Sequence, residues 1–194
     1  MKKVGITGNI GSGKSWVCLL FESFGIPVFY SDDEAKRLYY RDDIRHAMTA
    51  RFGDAVYLPD GQLNKPLLSQ LIFNDATAMR DVELLLYPAL NVYFDAWAEA
   101  QLAPYVLYES AIIFEKHLEH RFDAMVMVSA SEVTRLRRVM SRDRCGEAEV
   151  RRRMVQQWPD DAKRALADFV IEHDADDEDE ALMQRVRQVD ALLR

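Results

Sequence analysis

Residues Gly8-Asn9-Ile10-Gly11-Ser12-Gly13-Lys14-Ser15 spell G-x-x-x-x-G-K-[ST], directly after the apolar run Val4-Gly5-Ile6-Thr7 and directly before a segment with Val17, Leu20, Phe21 and Phe24 at helical spacing. A strand, a glycine-rich turn and a helix in that order leave few architectures open. The glycines let successive backbone N–H groups converge on one anion, and the following helix adds the positive end of its dipole. Lys14 can then reach the outer phosphates of a nucleotide, and the Ser15 hydroxyl can ligate Mg²⁺. All eight loop residues, Gly8, Asn9, Ile10, Gly11, Ser12, Gly13, Lys14 and Ser15, are therefore candidate phosphate-binding positions.

Further along, Gly25-Ile26-Pro27 turns into a short strand at Val28-Phe29-Tyr30, which ends at Ser31-Asp32-Asp33. Residues 34–103 then read as helices, interrupted near Gly53 and at Pro59-Asp60-Gly61, with a helix start at Asn64-Lys65-Pro66. Leu67, Leu68, Leu71, Ile72, Leu84, Leu85, Leu90, Val92 and Phe94 are expected to form the apolar faces there. Strand character returns at residues 105–108, 124–128 and 169–171, with a helical stretch over residues 150–167 before the last of these. The final helix carries Leu182, Val186, Val189 and Leu193 on one face, after an acidic run from Asp174 to Glu180 expected to be a solvated loop. Short apolar strands alternating with helices predict an α/β fold: a doubly wound, parallel, five-stranded sheet with its ligand at the carboxyl edge. A helical segment of roughly 70 residues is too long for a plain crossover and reads as an inserted substrate-binding region.

Composition narrows the function. The net charge of -7 opposes nucleic-acid binding by bulk electrostatics. Cys18 and Cys145 match no metal-ligand or disulfide spacing and read as free thiols. No apolar run reaches the length of a membrane span, and the amino terminus lacks a signal-peptide core, so a cytoplasmic protein is expected.

The loop is shared by GTPases, motor ATPases and small-molecule kinases. A guanine-reading motif is missing, because Asn64-Lys65 continues into Pro66-Leu67, and Asp143-Arg144-Cys145-Gly146 does not end a strand. The strand at residues 105–108 ends in Glu109 rather than the Asp usual in motor ATPases. Two features favour a kinase acting on a small hydroxyl. Asp32 follows the second strand, where a carboxylate can accept the proton of an attacking alcohol or join the metal shell; capping of the next helix by Asp32 or Asp33 is the alternative. Arg135, Arg137, Arg138, Arg142, Arg144, Arg151, Arg152 and Arg153 can form a lid over a triphosphate, although each could equally sit on a solvated helix face.

Taken together, these residues resemble the dephospho-CoA kinase family over nearly the whole chain. Besides the loop and Ser31-Asp32, the likeness rests on Arg51-Phe52-Gly53, Gly61-Gln62-Leu63-Asn64-Lys65, Glu109 through Glu115, Arg138, Arg142-Asp143, Arg153-Met154, Gln157, Lys163 and Ala167-Asp168-Phe169-Val170-Ile171. The resemblance implies a nucleoside-monophosphate-kinase-like fold. It also implies transfer of the ATP γ-phosphate to the ribose 3′-hydroxyl of dephospho-CoA, with Mg²⁺ held by Ser15 and Asp32. Lys14, Asp32 and Arg142 would be the catalytic residues, Arg138 and Arg142 would contact ATP from the lid, and His173 would stand near the adenine. Phe73, Tyr87 and Phe114 are candidates for lining the acceptor site, with core packing the competing explanation. The implied organisation is a core of residues 1–31, 104–134 and 159–194, an acceptor-binding insertion of residues 32–103 and a lid of residues 135–158. No membrane or nucleic-acid partner is expected, and the protein is expected to be a monomer or weak homo-oligomer.

Departures from the family pattern include Tyr30 in place of an Asp, Tyr87 before Pro88 in place of His, Glu109 in place of Asp, and His173 in place of Asn. Another kinase for a nucleoside monophosphate, nucleoside or sugar acid is the nearest alternative. A non-catalytic nucleotide-binding module is disfavoured by the joint presence of Lys14, Ser15, Asp32 and Arg142.

Overall fold

The computed structural model describes residues 1–174 and 179–194, which fall into two compact units: residues 1–30 with 101–194, and residues 31–100. In chain order the elements are β1 (Lys2–Thr7), α1 (Lys14–Ser23), β2 (Val28–Tyr30), α2 (Ser31–Leu38), α3 (Asp42–Phe52), α4 (Lys65–Asn74), α5 (Ala76–Glu99), β3 (Tyr105–Glu109), β4 (Ala124–Ser129), α6 (Glu132–Asp143), α7 (Glu147–Met154), α8 (Asp160–Arg164), β5 (Phe169–Glu172) and α9 (Asp179–Leu193).

In the first unit all strand pairs are parallel and the described strands are ordered β2-β3-β1-β4-β5. β1 lies at the centre, with Ile6 in register with Glu109 on one side and Val126 on the other. The strands read as unbroken apolar runs because both faces are covered. Val4, Ile6, Leu107, Val126 and Ile171 share one buried cluster with Val17, Cys18 and Phe21 of α1 and with Leu182, Val186 and Leu193 of α9. Each such side chain contributes about 1.5–3 kcal/mol on leaving water. The apolar stripe expected for the final helix is therefore its core face. Burial pushes the Cys18 thiol up to about 12, which makes it an inert packing residue. Tyr105 Oη donates to Asp190 Oδ1 of α9 at 2.7 Å, a polar tie inside the core.

The second unit is helical. Ala78, Val82, Leu86, Leu90, Phe94 and Ala98 of α5 are buried at a strict four-residue spacing, and α2, α3 and α4 pack on that helix. Leu84 and Val92, expected on an apolar face, are exposed instead, since the stripe spaced by fours already fills the core side. Asn64 and Asp75 accept from Leu67 N–H and Thr77 N–H and so cap α4 and α5.

Two further expectations need correction. The helical stretch over residues 150–167 is broken: α7 stops at Met154 and α8 begins at Asp160 after Pro159 in an extended conformation. Proline disfavours helical backbone at the residue before it and has no N–H to continue a helical ladder. The acidic run is not simply a loop, because Asp179 and Glu180 occupy the first turn of α9, where the helix dipole favours negative charge. Residues 175–178 of that run lie outside the described residues.

Candidate active site

The loop between β1 and α1 is shaped by close approach. Gly11 and Gly13 have φ of +81° and +87°, and a Cβ at these positions would lie 2.5 Å from Arg135 O and 2.1 Å from His173 Nδ1. No other residue fits both the dihedral and the space. α6 and the end of β5 are thus pressed directly onto the loop. Thr7 Oγ1 and Ser12 Oγ are buried with no hydrogen-bond partner among the described residues, in a setting where buried hydroxyls normally have one. Orphan hydroxyls beside a glycine turn at the head of a helix suit an oxygen-rich anion.

Lys14, at the first position of α1, forms an ion pair with Glu109, the last residue of β3; the two side chains are only 12% and 9% exposed. Glu109 stands in register with both Ile6 and Tyr30, so the parallel sheet itself delivers this carboxylate to the loop. Ser15 follows in the first turn of α1 and is exposed.

Of the sequence-predicted arginines, Arg138 is the one held on the loop. Its Nη1 donates to Ser12 O at 3.2 Å and to His173 O at 2.9 Å. His173 N–H in turn donates to Ser129 O at 2.8 Å, and Asp174 accepts from Ser131 N–H at 3.1 Å. The end of β5 is thereby tied to the start of α6. Arg142 instead pairs with Asp143 at 2.7 Å and is 64% exposed, and Arg153 holds the same carboxylate at 2.7 Å. The Arg142 hydrogen bond, with Arg153 assisting, holds the Asp143 carboxyl below its usual range. Asp143 is the last residue of α6, which removes the formal D-x-x-G match from any strand end.

On the other flank, Asn9 Nδ2 donates to Trp158 O at 3.1 Å and to Asp160 Oδ1 at 2.9 Å, and Ile10 N–H donates to Gln157 Oε1 at 2.8 Å. Asp160 Oδ2 also accepts from the Ser129 hydroxyl at 2.6 Å. Beside this junction lies a cleft of about 920 Å³ whose lining includes Asn9, Arg135, Gln157, Trp158, Asp160 and Arg164. Sequence reasoning singled out Gln157 only as part of a resemblance, and it missed Trp158 and Asp160. Nothing in their local pattern marks them, since their role comes from contacts about 150 residues away in the chain.

In the second unit, Asp32 lies exposed in the first turn of α2, two residues after Tyr30. Asp33, in the same turn, pairs with Lys36 at 2.8 Å, and that hydrogen bond holds its carboxyl below the usual range. Of the aromatic candidates for an acceptor site, Phe114 is fully buried in the first unit, which makes it a packing residue, while Phe73 is 89% exposed. Tyr87 is half-buried on α5. No group of three or more His, Cys, Asp or Glu side chains able to hold a metal occurs among the described residues. Nor is any described helix long and apolar enough to cross a membrane.

A parallel sheet carrying a glycine-shaped anion loop, a lysine at the head of the next helix and a carboxylate on the neighbouring strand defines a P-loop phosphotransferase of the small-molecule kinase type. The chain belongs to the dephospho-CoA kinase family, whose model matches residues 2–179. Dephospho-CoA kinase of Syntrophotalea carbinolica is 37% identical, with 100% of this chain and 91% of that protein covered. Among solved structures, a Thermus thermophilus protein superimposes with a TM-score of 0.86 at 31% identity over 100% of this chain and 98% of that one. Dephospho-CoA kinase from Campylobacter jejuni shares the fold, with a TM-score of 0.71 at 18% identity over 98% and 96% of the two chains.

Proposed function

We propose that this enzyme transfers the γ-phosphoryl group of ATP to the ribose 3′-hydroxyl of dephospho-CoA, releasing ADP and coenzyme A. The observation that carries this reading is the pairing of a glycine-shaped anion loop and Lys14 with family membership across residues 2–179. In the reaction the 3′-oxygen forms a bond to phosphorus as the bond from phosphorus to the β,γ-bridging oxygen breaks. Asp32 takes the proton of the attacking hydroxyl. Lys14, held at the head of α1 beside Glu109, offers its charge to the phosphate oxygens where negative charge develops on the transferring group. Arg138 sets the loop's distance from His173 at the nucleotide's base end. Of the expected lid 135–158, Arg138, Gln157 and Trp158 stay anchored on the loop, and Arg142 swings from Asp143 to the phosphates as the stretch between those anchors closes.

Mg²⁺ fits the donors present, because it prefers few protein ligands beside water and substrate phosphates; when bound it neutralises charge on the β- and γ-phosphates. The Ser15 hydroxyl would hold it, with Asp32 as a second ligand if that carboxylate is not the base. The helical unit of residues 31–100 supplies the acceptor site in this reading, and the reaction belongs in the cytoplasm, where ATP and the acceptor are available.

An acceptor screen with ATP tests the assignment. Dephospho-CoA should be phosphorylated far faster than AMP, CMP, uridine or gluconate; preference for any of these would replace the assignment. Asp32→Asn separates the two roles of that residue, since loss of turnover with unchanged ATP affinity identifies a base, whereas weakened Mg·ATP binding identifies a metal ligand.

A further inference from the structure

Lys163 of α8 is 0% exposed, an unusual place for an ammonium group. Its Nζ donates to Ala111 O at 2.8 Å and pairs with Glu115 Oε1 at 2.6 Å. The same Glu115 oxygen accepts the backbone N–H of Trp158 at 3.0 Å. Trp158 lies in the stretch between α7 and α8, immediately before Pro159, where no helical ladder serves its amide. Its carbonyl takes one hydrogen of the Asn9 amide, and its neighbour Gln157 takes the Ile10 N–H. A continuous path of directed bonds therefore runs from a buried charge pair to the second and third residues of the phosphate loop.

Stability alone does not account for this arrangement. Two apolar side chains of similar volume would hold the core together as well as or better than a buried ion pair. What they could not supply is a fixed, strong acceptor for the Trp158 amide, oriented by an ammonium group that is itself locked by a carbonyl. We propose that Glu115 and Lys163 are positioning residues for phosphoryl transfer: their buried pair pins residues 157–160 against the phosphate loop and sets the loop's grip on nucleotide. The proposal deepens the kinase reading above and rests on it. Displacements on the order of 1 Å at a reacting centre can cost about 100-fold in rate, so a remote strut of this kind has catalytic weight.

The test compares wild type with Glu115→Gln, Lys163→Met and Gln157→Leu, well below each variant's melting temperature. Steady-state kinetics with Mg·ATP and dephospho-CoA are paired with calorimetric titration of MgADP, which needs no acceptor. The expected result is a fall of about tenfold or more in kcat/KM for ATP and weaker MgADP binding, with KM for dephospho-CoA within about twofold of wild type. Gln157→Leu should reproduce this while leaving the ion pair intact, and its effect should not add to that of Glu115→Gln. Folded variants that keep kcat/KM for ATP within about twofold, or losses that simply add, would overturn the proposal. Where those ion-pair variants fail to fold, Glu115→Asp, which keeps the charge and shortens its reach to the Trp158 amide, takes their place under the same outcomes. Should wild type leave dephospho-CoA untouched, the kinase reading fails, while the MgADP titrations still read the strut.

Discussion

Two sets of ion pairs occupy the first unit, and they differ in burial. Lys163–Glu115 and Lys14–Glu109 are shut away from water, whereas Arg142–Asp143, Arg153–Asp143 and Arg151–Glu132 lie on the surface of α6 and α7 with the arginines 42–64% exposed. Surface pairs exchange one set of water contacts for another and are screened by salt, so they can be made and broken freely. Buried pairs cannot lose one partner without stranding a charge. The contrast separates a fixed set of charges around the loop from a surface set whose members exchange with water.

The sharpest way to break that contrast is Lys163→Ala, which leaves Glu115 without its buried counter-charge and should destabilise the fold by about 3–5 kcal/mol in denaturant unfolding. A loss as small as that of a surface pair would remove the distinction. Next comes Lys14→Ala, for which turnover should fall by about 10²–10³-fold, as when one preorganised donor is taken from a transition state. Steady-state rates with saturating ATP measure it, and full activity would exclude Lys14 from the chemistry. Replacing both members of the strut, as in Glu115→Leu with Lys163→Met, should return most of the stability lost in Lys163→Ala. Turnover should stay low, because the Trp158 amide still lacks its acceptor; recovery of both together would mean the pair serves packing alone.

A smaller effect is expected from pH. Burial holds Lys163 below its ordinary value of 10.5. Between that lowered value and 10.5 the unfolded chain binds the proton more tightly than the folded one, so stability rises with pH across this alkaline window. Wild type should therefore gain in melting temperature relative to Lys163→Met as pH rises toward 10.5, and a gap moving the other way would contradict the burial argument. Smallest of all is Arg151→Ala, whose exposed pairs with Glu132 and Glu147 should leave the melting temperature unchanged at physiological salt. A clear drop would show that α7 is held down rather than poised to move.

The strands and the loop were legible because their signals are local. Apolar runs bounded by turns mark the strands β1 to β5 to within a residue or two, and the glycine spacing marks the tight turn between β1 and α1. Helix faces were read less well. Leu84 and Val92 are apolar, yet they project away from the buried stripe of α5, since hydropathy alone does not say which of two adjacent faces meets a neighbour. The break at Pro159 has a local signal in the proline itself, but the apolar spacing on either side of it reads as one continuous helix.

By itself the chain's order of residues determined the strands, the glycine turn and the class of chemistry, because each depends on dihedral preferences and spacing within about a dozen residues. Only the tertiary structure decided which charges meet. That Lys14 faces Glu109, that Arg138 rather than Arg142 rests on the loop, and that a buried lysine on α8 reaches Asn9 through Trp158 all follow from the parallel register and from the return of α8 to the sheet. Pairings across a hundred residues carry no local signature; they exist only once the sheet has stacked its strand ends side by side.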